Sequence, residues 1–142
     1  MKVSARNVFE GRITGLVDGQ VNAEVELTTS GGDKIVAVVT EGSVKSLGLA
    51  VGKAATAFVK APWVMLLAGD VPVRFSARNQ LAGVVSSVVK GAVNADVGIR
   101  LPGGSLVHAV VTNEAVMELG LKDGAPAVAL IKASHVVLGV AA

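Results

Sequence analysis

Val21, Ala23, Val25 and Leu27 alternate with Asn22, Glu24, Glu26 and Thr28, and this period of two predicts a strand with one buried face and one wet face. Residues 2 to 17 before it read as a second extended segment. Val3, Val8, Ile13 and Val17 sit there among polar residues, with Gly11 and Gly15 where a bent strand or bulge wants them. Asp18-Gly19 joins the two as a hairpin turn, and Gly31-Gly32-Asp33 turns the chain into a third strand over Lys34 to Val39. The pattern then changes. Thr40 followed by Glu41-Gly42-Ser43-Val44-Lys45-Ser46-Leu47 and Gly48 has the form of an N-cap, a short helix and a glycine stop. Ala55 to Lys60 and Trp63 to Leu67 predict two more strands.

The same series then repeats. Ser4-Ala5-Arg6-Asn7 returns as Ser76-Ala77-Arg78-Asn79, and the step of 72 holds without a gap: pairing 4–66 with 76–138 gives 28 identities in 63 positions. The chain is one module written twice. The second helix, after Thr112, runs through Asn113 to Leu119 and stops at Gly120; strands follow over Ala127 to Lys132 and Val136 to Val140. Three strands, a short helix and two strands is the element order of an OB-like barrel. The expected fold is therefore all-β, two tandem OB-like five-stranded barrels with one short helix each. Residues 1–69 form the first domain, 70–142 the second, and 68–74 a short linker that leaves the barrels touching. A half of this size buries only about 60% of its unfolded surface, so a shared interface or further assembly is expected.

Composition narrows the function classes. Half the residues are apolar, in short runs broken by glycine, with none near the ~18 to 20 residues of a membrane helix. No basic segment followed by an apolar run marks a secretory signal at the start. The chain has no cysteine, which excludes disulfides and thiolate metal sites and suits the cytoplasm. A net charge of +2 and four aromatic residues (Phe9, Phe58, Trp63, Phe75) make a poor surface for nucleic acid. Neither a nucleophile signature nor a Walker loop is present. The two histidines, His108 and His135, have no counterpart in the first half and read as surface or barrel-wall residues. Glu24 and Asp96 recur in register and read as solvated strand charges. No enzymatic function is expected.

What does recur is a set of donors: the hydroxyls of Ser4 and Ser76, the guanidinium groups of Arg6 and Arg78, Thr40 and Thr112 at the helix starts, and the ammonium groups of Lys60 and Lys132. Helix-start amides and arginine forks both suit oxyanions, and together these groups would hold a small anion. Singly, each has a plain structural role available as cap, ion-pair partner or solubilising charge. Asn22 and Asn94 lie in the next longest matching block, Val-Asn-Ala-[Glu/Asp]-Val, where a turn or register role competes with binding.

These blocks, with Val-Val-Thr before each helix and Lys-Ala-Pro-Trp-Val or Lys-Ala-Ser-His-Val near each repeat end, resemble the Mop domain of molbindins over nearly the whole chain. The tandem arrangement resembles the di-Mop members. The resemblance implies a trimer that stores molybdate or tungstate reversibly at subunit interfaces, in the cytoplasm, without organic cofactor, nucleic acid or membrane. The ligands it implies are Ser4, Arg6, Thr40, Ser43 and Lys60, and in the second copy Ser76, Arg78, Thr112 and Lys132, where Ala115 replaces the hydroxyl of Ser43. Asn22 and Asn94 match a segment that forms a second kind of site near the three-fold axis. A molybdate-sensing module for a partner protein and an OB-fold nucleic-acid binder are the competing readings.

Overall fold

The computed structural model describes residues 2–142, and in it the chain forms ten strands and two short helices. The first repeat supplies β1 (Asn7–Asp18), β2 (Asn22–Thr29), β3 (Lys34–Thr40), α1 (Glu41–Leu47), β4 (Ala54–Val59) and β5 (Met65–Leu67). The second supplies β6 (Asn79–Lys90), β7 (Asn94–Arg100), β8 (Leu106–Thr112), α2 (Asn113–Glu118), β9 (Pro126–Ile131) and β10 (Val137–Gly139). These make two five-stranded sheets in OB-like barrels, as expected. The alternation holds in β2 for Ala23, Val25 and Leu27, which are buried between half-buried or exposed neighbours, but Val21, expected on the same buried face, is 74% exposed in the turn before the strand.

Each long strand coils around its barrel. The first half of β1 pairs with β4 and the second half with β2, both antiparallel, and the ladder slips at a bulge between Ile13 and Gly15. At Gly11, where the two pairings overlap, a Cβ would run into the Thr28 carbonyl oxygen, so the strand can bend there only with glycine. The core is built from the same positions twice: Ile13, Val25, Leu27, Ile35 and Val59 are fully buried, and so are Val85, Val97, Ile99, Val107 and Ile131, each 72 residues on. Both sets belong to one apolar cluster that runs through the two halves.

The last strand of each repeat leaves home. β5 pairs with β9 of the second repeat (Leu66 opposite Ala129), and β10 pairs with β4 of the first (Leu138 opposite Ala57). The sheet orders are therefore β10-β4-β1-β2-β3 and β5-β9-β6-β7-β8. A 3-10 turn before each exchanged strand aims it away: Ala61–Trp63 packs on β8 and Ala133–His135 on β3. This corrects the expected strand over Trp63 to Leu67. Pro62 has no N–H and a fixed φ, and the turn it favours consumes Ala61 to Trp63 before the strand begins at Met65. The first extended segment is likewise shorter than expected: pairing starts at Asn7, and residues 2–6 approach it outside the sheet.

Candidate functional site

The repeated Ser-Ala-Arg-Asn block joins the two halves. Asn79 is 2% exposed and Asn7 is fully buried. Each side-chain amide acts as a short piece of strand against the edge of the opposite repeat. The Val36 N–H donates to Asn79 Oδ1 (2.7 Å), and Asn79 Nδ2 donates to the carbonyls of Val36 (2.8 Å) and Ile131 (3.2 Å). Asn7 Nδ2 donates to the His108 carbonyl (2.8 Å), and the His108 N–H returns to Asn7 Oδ1 (2.6 Å). Position 36 and position 108 are one step of 72 apart, so the clamp is reciprocal.

The arginines cross in the same way. Arg78 Nη2 donates to Glu24 Oε1 at 2.7 Å, a bond with hydrogen-bond geometry. Arg6 Nη1 lies 2.9 Å from Asp96 Oδ2, but Oδ2 receives no aligned N–H, so this is a charge contact rather than a hydrogen bond. The other oxygen of Asp96 meets His108 Nδ1 at 2.9 Å. Glu24 and Asp96 are thus not free solvated charges; they are the internal partners of the two candidate arginines. Val36 occupies the position of His108, so the pair of Arg78 with Glu24 lacks the histidine.

Thr40 and Thr112 cap their helices as the spacing predicts. Thr40 Oγ1 accepts from the Ser43 N–H (3.1 Å) and donates to Ser43 Oγ (2.9 Å); Thr112 Oγ1 accepts from the Ala115 N–H (3.0 Å). Gly48 and Gly120 both take φ +62, the left-handed turn that ends each helix. Asn22 and Asn94 stand opposite Thr40 and Thr112 in the ladders, and their carbonyls accept from Gly19 and Gly91 to close the first turn of each repeat. Both side chains are exposed.

The donors from one repeat do not gather into one pocket. Thr40, Ser43 and Asn22 line an open cavity of about 360 Å³ whose far wall is Ser134 and the exchanged strand β10. Ser76 and Lys132 line another, of about 230 Å³, together with Trp63 and Met65 from the first repeat and with Phe75 and His135. Lys60 holds its Nζ 5.5 Å from the centre of the Trp63 ring, which lies 5.0 Å from His135. Ser4 is exposed on the segment that leads to Arg6. The chemistry on offer is donation from hydroxyls and cations at the seam between the repeats. Among the described residues no group of three or more histidine, cysteine or carboxylate side chains could hold a metal ion. Sequence reasoning missed three participants. Asn7 and Asn79 were visible in the repeated block, and Ser134 shows only as the residue standing where the first copy has Pro62.

Known proteins resemble the chain over both repeats. The TOBE domain model matches residues 3–66 and again 76–138. The chain is 55% identical to the cytoplasmic molybdate-binding protein ModG, whose structure was solved with molybdate bound; the likeness covers 99% of this chain and all of that one, with a TM-score of 0.94. It is 44% identical over 138 residues, 97% of its length, to the molybdenum-pterin-binding protein MopA of Rhodobacter capsulatus, of which it covers 52%. It is 34% identical over 140 residues to the DNA-binding transcriptional dual regulator ModE of Escherichia coli, again covering 97% of this chain and 52% of that protein. The chain thus spans about half the length of these curated relatives. With both repeats matched and the ModG likeness running end to end, this chain belongs to the TOBE domain family, as one of its tandem Mop members.

Proposed function

We propose that this protein binds molybdate reversibly and stores it as an oxyanion buffer, with tungstate as an alternative ligand, at sites completed between chains of a homotrimer. The observation that carries the reading is the end-to-end likeness to molybdate-bound ModG at 55% identity. The distribution of donors supports the part played by assembly. A tetrahedral dianion offers four oxygens, yet Ser76 and Lys132 face one cavity while Thr40 and Ser43 face another, so neither group alone surrounds it. A neighbouring chain would bring the groups together. The ligands are then Ser4, Arg6, Thr40, Ser43 and Lys60 with Ser76, Arg78, Thr112 and Lys132, and the modules that duplicated are residues 1–69 and 70–142. Asn22 and Asn94 would form the second kind of site. Function in the cytoplasm follows the description of ModG; among the described residues no helix is long and apolar enough to cross a membrane. None of the relatives named above is described as an enzyme, and this reading has no catalytic step.

Equilibrium dialysis against molybdate with metal analysis, combined with light scattering, tests the proposal. Retained molybdenum on a particle of three chains is the expected result; a protein that retains none is not a store. The likeness to a DNA-binding regulator favours one second reading, a molybdate-sensing module that acts on a partner. Capture of a partner that changes with molybdate would support it. Retention of the isolated chain on DNA in a low-salt filter assay would overturn the expectation that it works without nucleic acid.

A further inference from the structure

The cavity beside Thr40 and Ser43 contains a hydroxyl from the opposite repeat, and the residue 72 positions before that hydroxyl is a proline. Thr40 Oγ1 accepts from the Ser43 amide and gives its own proton to Ser43 Oγ at 2.9 Å. The Ser43 proton is therefore left to seek another acceptor. Ser134, exposed on the 3-10 turn over Ala133–His135 that packs against β3, lines the same cavity of about 360 Å³. That turn follows directly on Lys132. At the equivalent positions of the other half stand Thr112, Ala115 and Pro62, where only the threonine has a hydroxyl.

We propose that Ser134 is a ligand-binding residue of the first pocket, and that the two pockets of the chain are consequently unequal. The first holds an unprotonated tetrahedral oxyanion more tightly than the second. The chemistry is donor counting. Ser43 and Ser134 together offer two hydroxyl protons to the anion's oxygens, whereas Thr112 alone offers one. Hydroxyl rotors add donors without adding charge, so the inequality appears as selective affinity rather than as general attraction for anions. The exchange of β10 goes with this arrangement: β10 pairs with β4, and the turn before it packs on β3, whose last residue, Thr40, starts the helix.

This inference rests on the molybdate-binding reading above, and titration calorimetry of the intact chain with sodium molybdate tests both. Apart from any binding at the separate Asn22 and Asn94 sites, the wild type should show two affinity classes. Ser134→Ala should weaken the tighter class by roughly threefold to tenfold, the value of one hydrogen bond, and leave the weaker class unchanged. Ser134→Thr should keep the wild-type isotherm, and Ala115→Ser combined with Pro62→Ser should tighten the weaker class. Ser134 is exposed, so the melting temperature without anion should not move; if Ser134→Ala fails to fold, Ser134→Thr and the double variant decide the matter. An isotherm for Ser134→Ala that superimposes on the wild type, equal weakening of both classes, or a single affinity class in the wild type overturns the inference alone. A wild type that takes up no molybdate overturns the storage reading with it.

Discussion

Replacing Asn79 tests whether the two halves are held together by the repeated block. Its amide makes three hydrogen bonds to the backbone, two to Val36 across the repeats and one to Ile131 in its own, from a position 2% exposed. Asn79→Ala removes all three, and at about 0.5 to 1.5 kcal/mol for each neutral bond the expected loss is ~1.5 to 4.5 kcal/mol. For a chain of this size each kcal/mol lowers the melting temperature by about 2 to 4 °C, so a fall of roughly 3 to 18 °C is expected at fixed protein concentration. Asn79→Asp should cost more at neutral pH. A carboxylate oxygen would replace the Nδ2 donor and face the carbonyls of Val36 and Ile131, leaving a buried charge opposite two acceptors. Protonation restores one O–H donor, so the deficit should shrink as pH falls. Asn7→Ala, which removes two bonds to His108, should fall between wild type and Asn79→Ala. Urea and thermal unfolding followed by circular dichroism give the numbers, and hydrogen exchange at the Val36 amide localises the effect. A loss under about 0.5 kcal/mol for Asn79→Ala, with Val36 still protected, would mean that these bonds do not hold the repeats together.

Three further outcomes are expected. Glu41 opens α1, where loss of hydration and then the neighbouring Asp18 carboxylate raise its carboxyl above the ordinary value of 4.5, against a smaller opposing pull from Lys45. The folded chain then holds that proton more firmly than the unfolded one, so this group makes stability fall as pH rises from 4.5 through its folded value. Glu41→Gln should flatten that decline and raise the neutral-pH melting temperature; an unchanged pH profile would contradict it. A chain cut to residues 1–69 retains β5 but not its partner β9, and should form a dimer by exchanging β5 between copies, which light scattering would detect; a folded monomer would contradict the exchange. Arg6→Ala and Lys60→Ala should each weaken molybdate binding at least about tenfold by calorimetry, the loss of one charge-assisted contact. Arg6→Ala should change stability by under about 1 kcal/mol, because the Arg6 side chain is 58% exposed and its pair with Asp96 is screened.

Most of what depends on near neighbours was legible in the sequence, the 3-10 turn at Ala61–Trp63 and the late start of β1 excepted. Alternation over 21–28 marked β2 and its buried face, Thr40 and Thr112 marked the helix starts, Gly48 and Gly120 marked their ends, and identity at a step of 72 marked the duplication. Such signals survive because strand period, caps and turns are set by residues a few positions apart. Which repeat each terminal strand completes was settled only in three dimensions. β4 and β9 derive from the same ancestral strand and present nearly the same edge, so the local sequence of β5 or β10 fits either one, and the choice falls to the direction in which the Ala61–Trp63 and Ala133–His135 turns launch the chain. With it go the meetings of Arg6 with Asp96, Arg78 with Glu24 and Asn79 with Val36, and the placing of Ser134 on the cavity that Ser43 lines. Each joins residues from opposite repeats, and no periodicity within one repeat can record a partner that lies in the other.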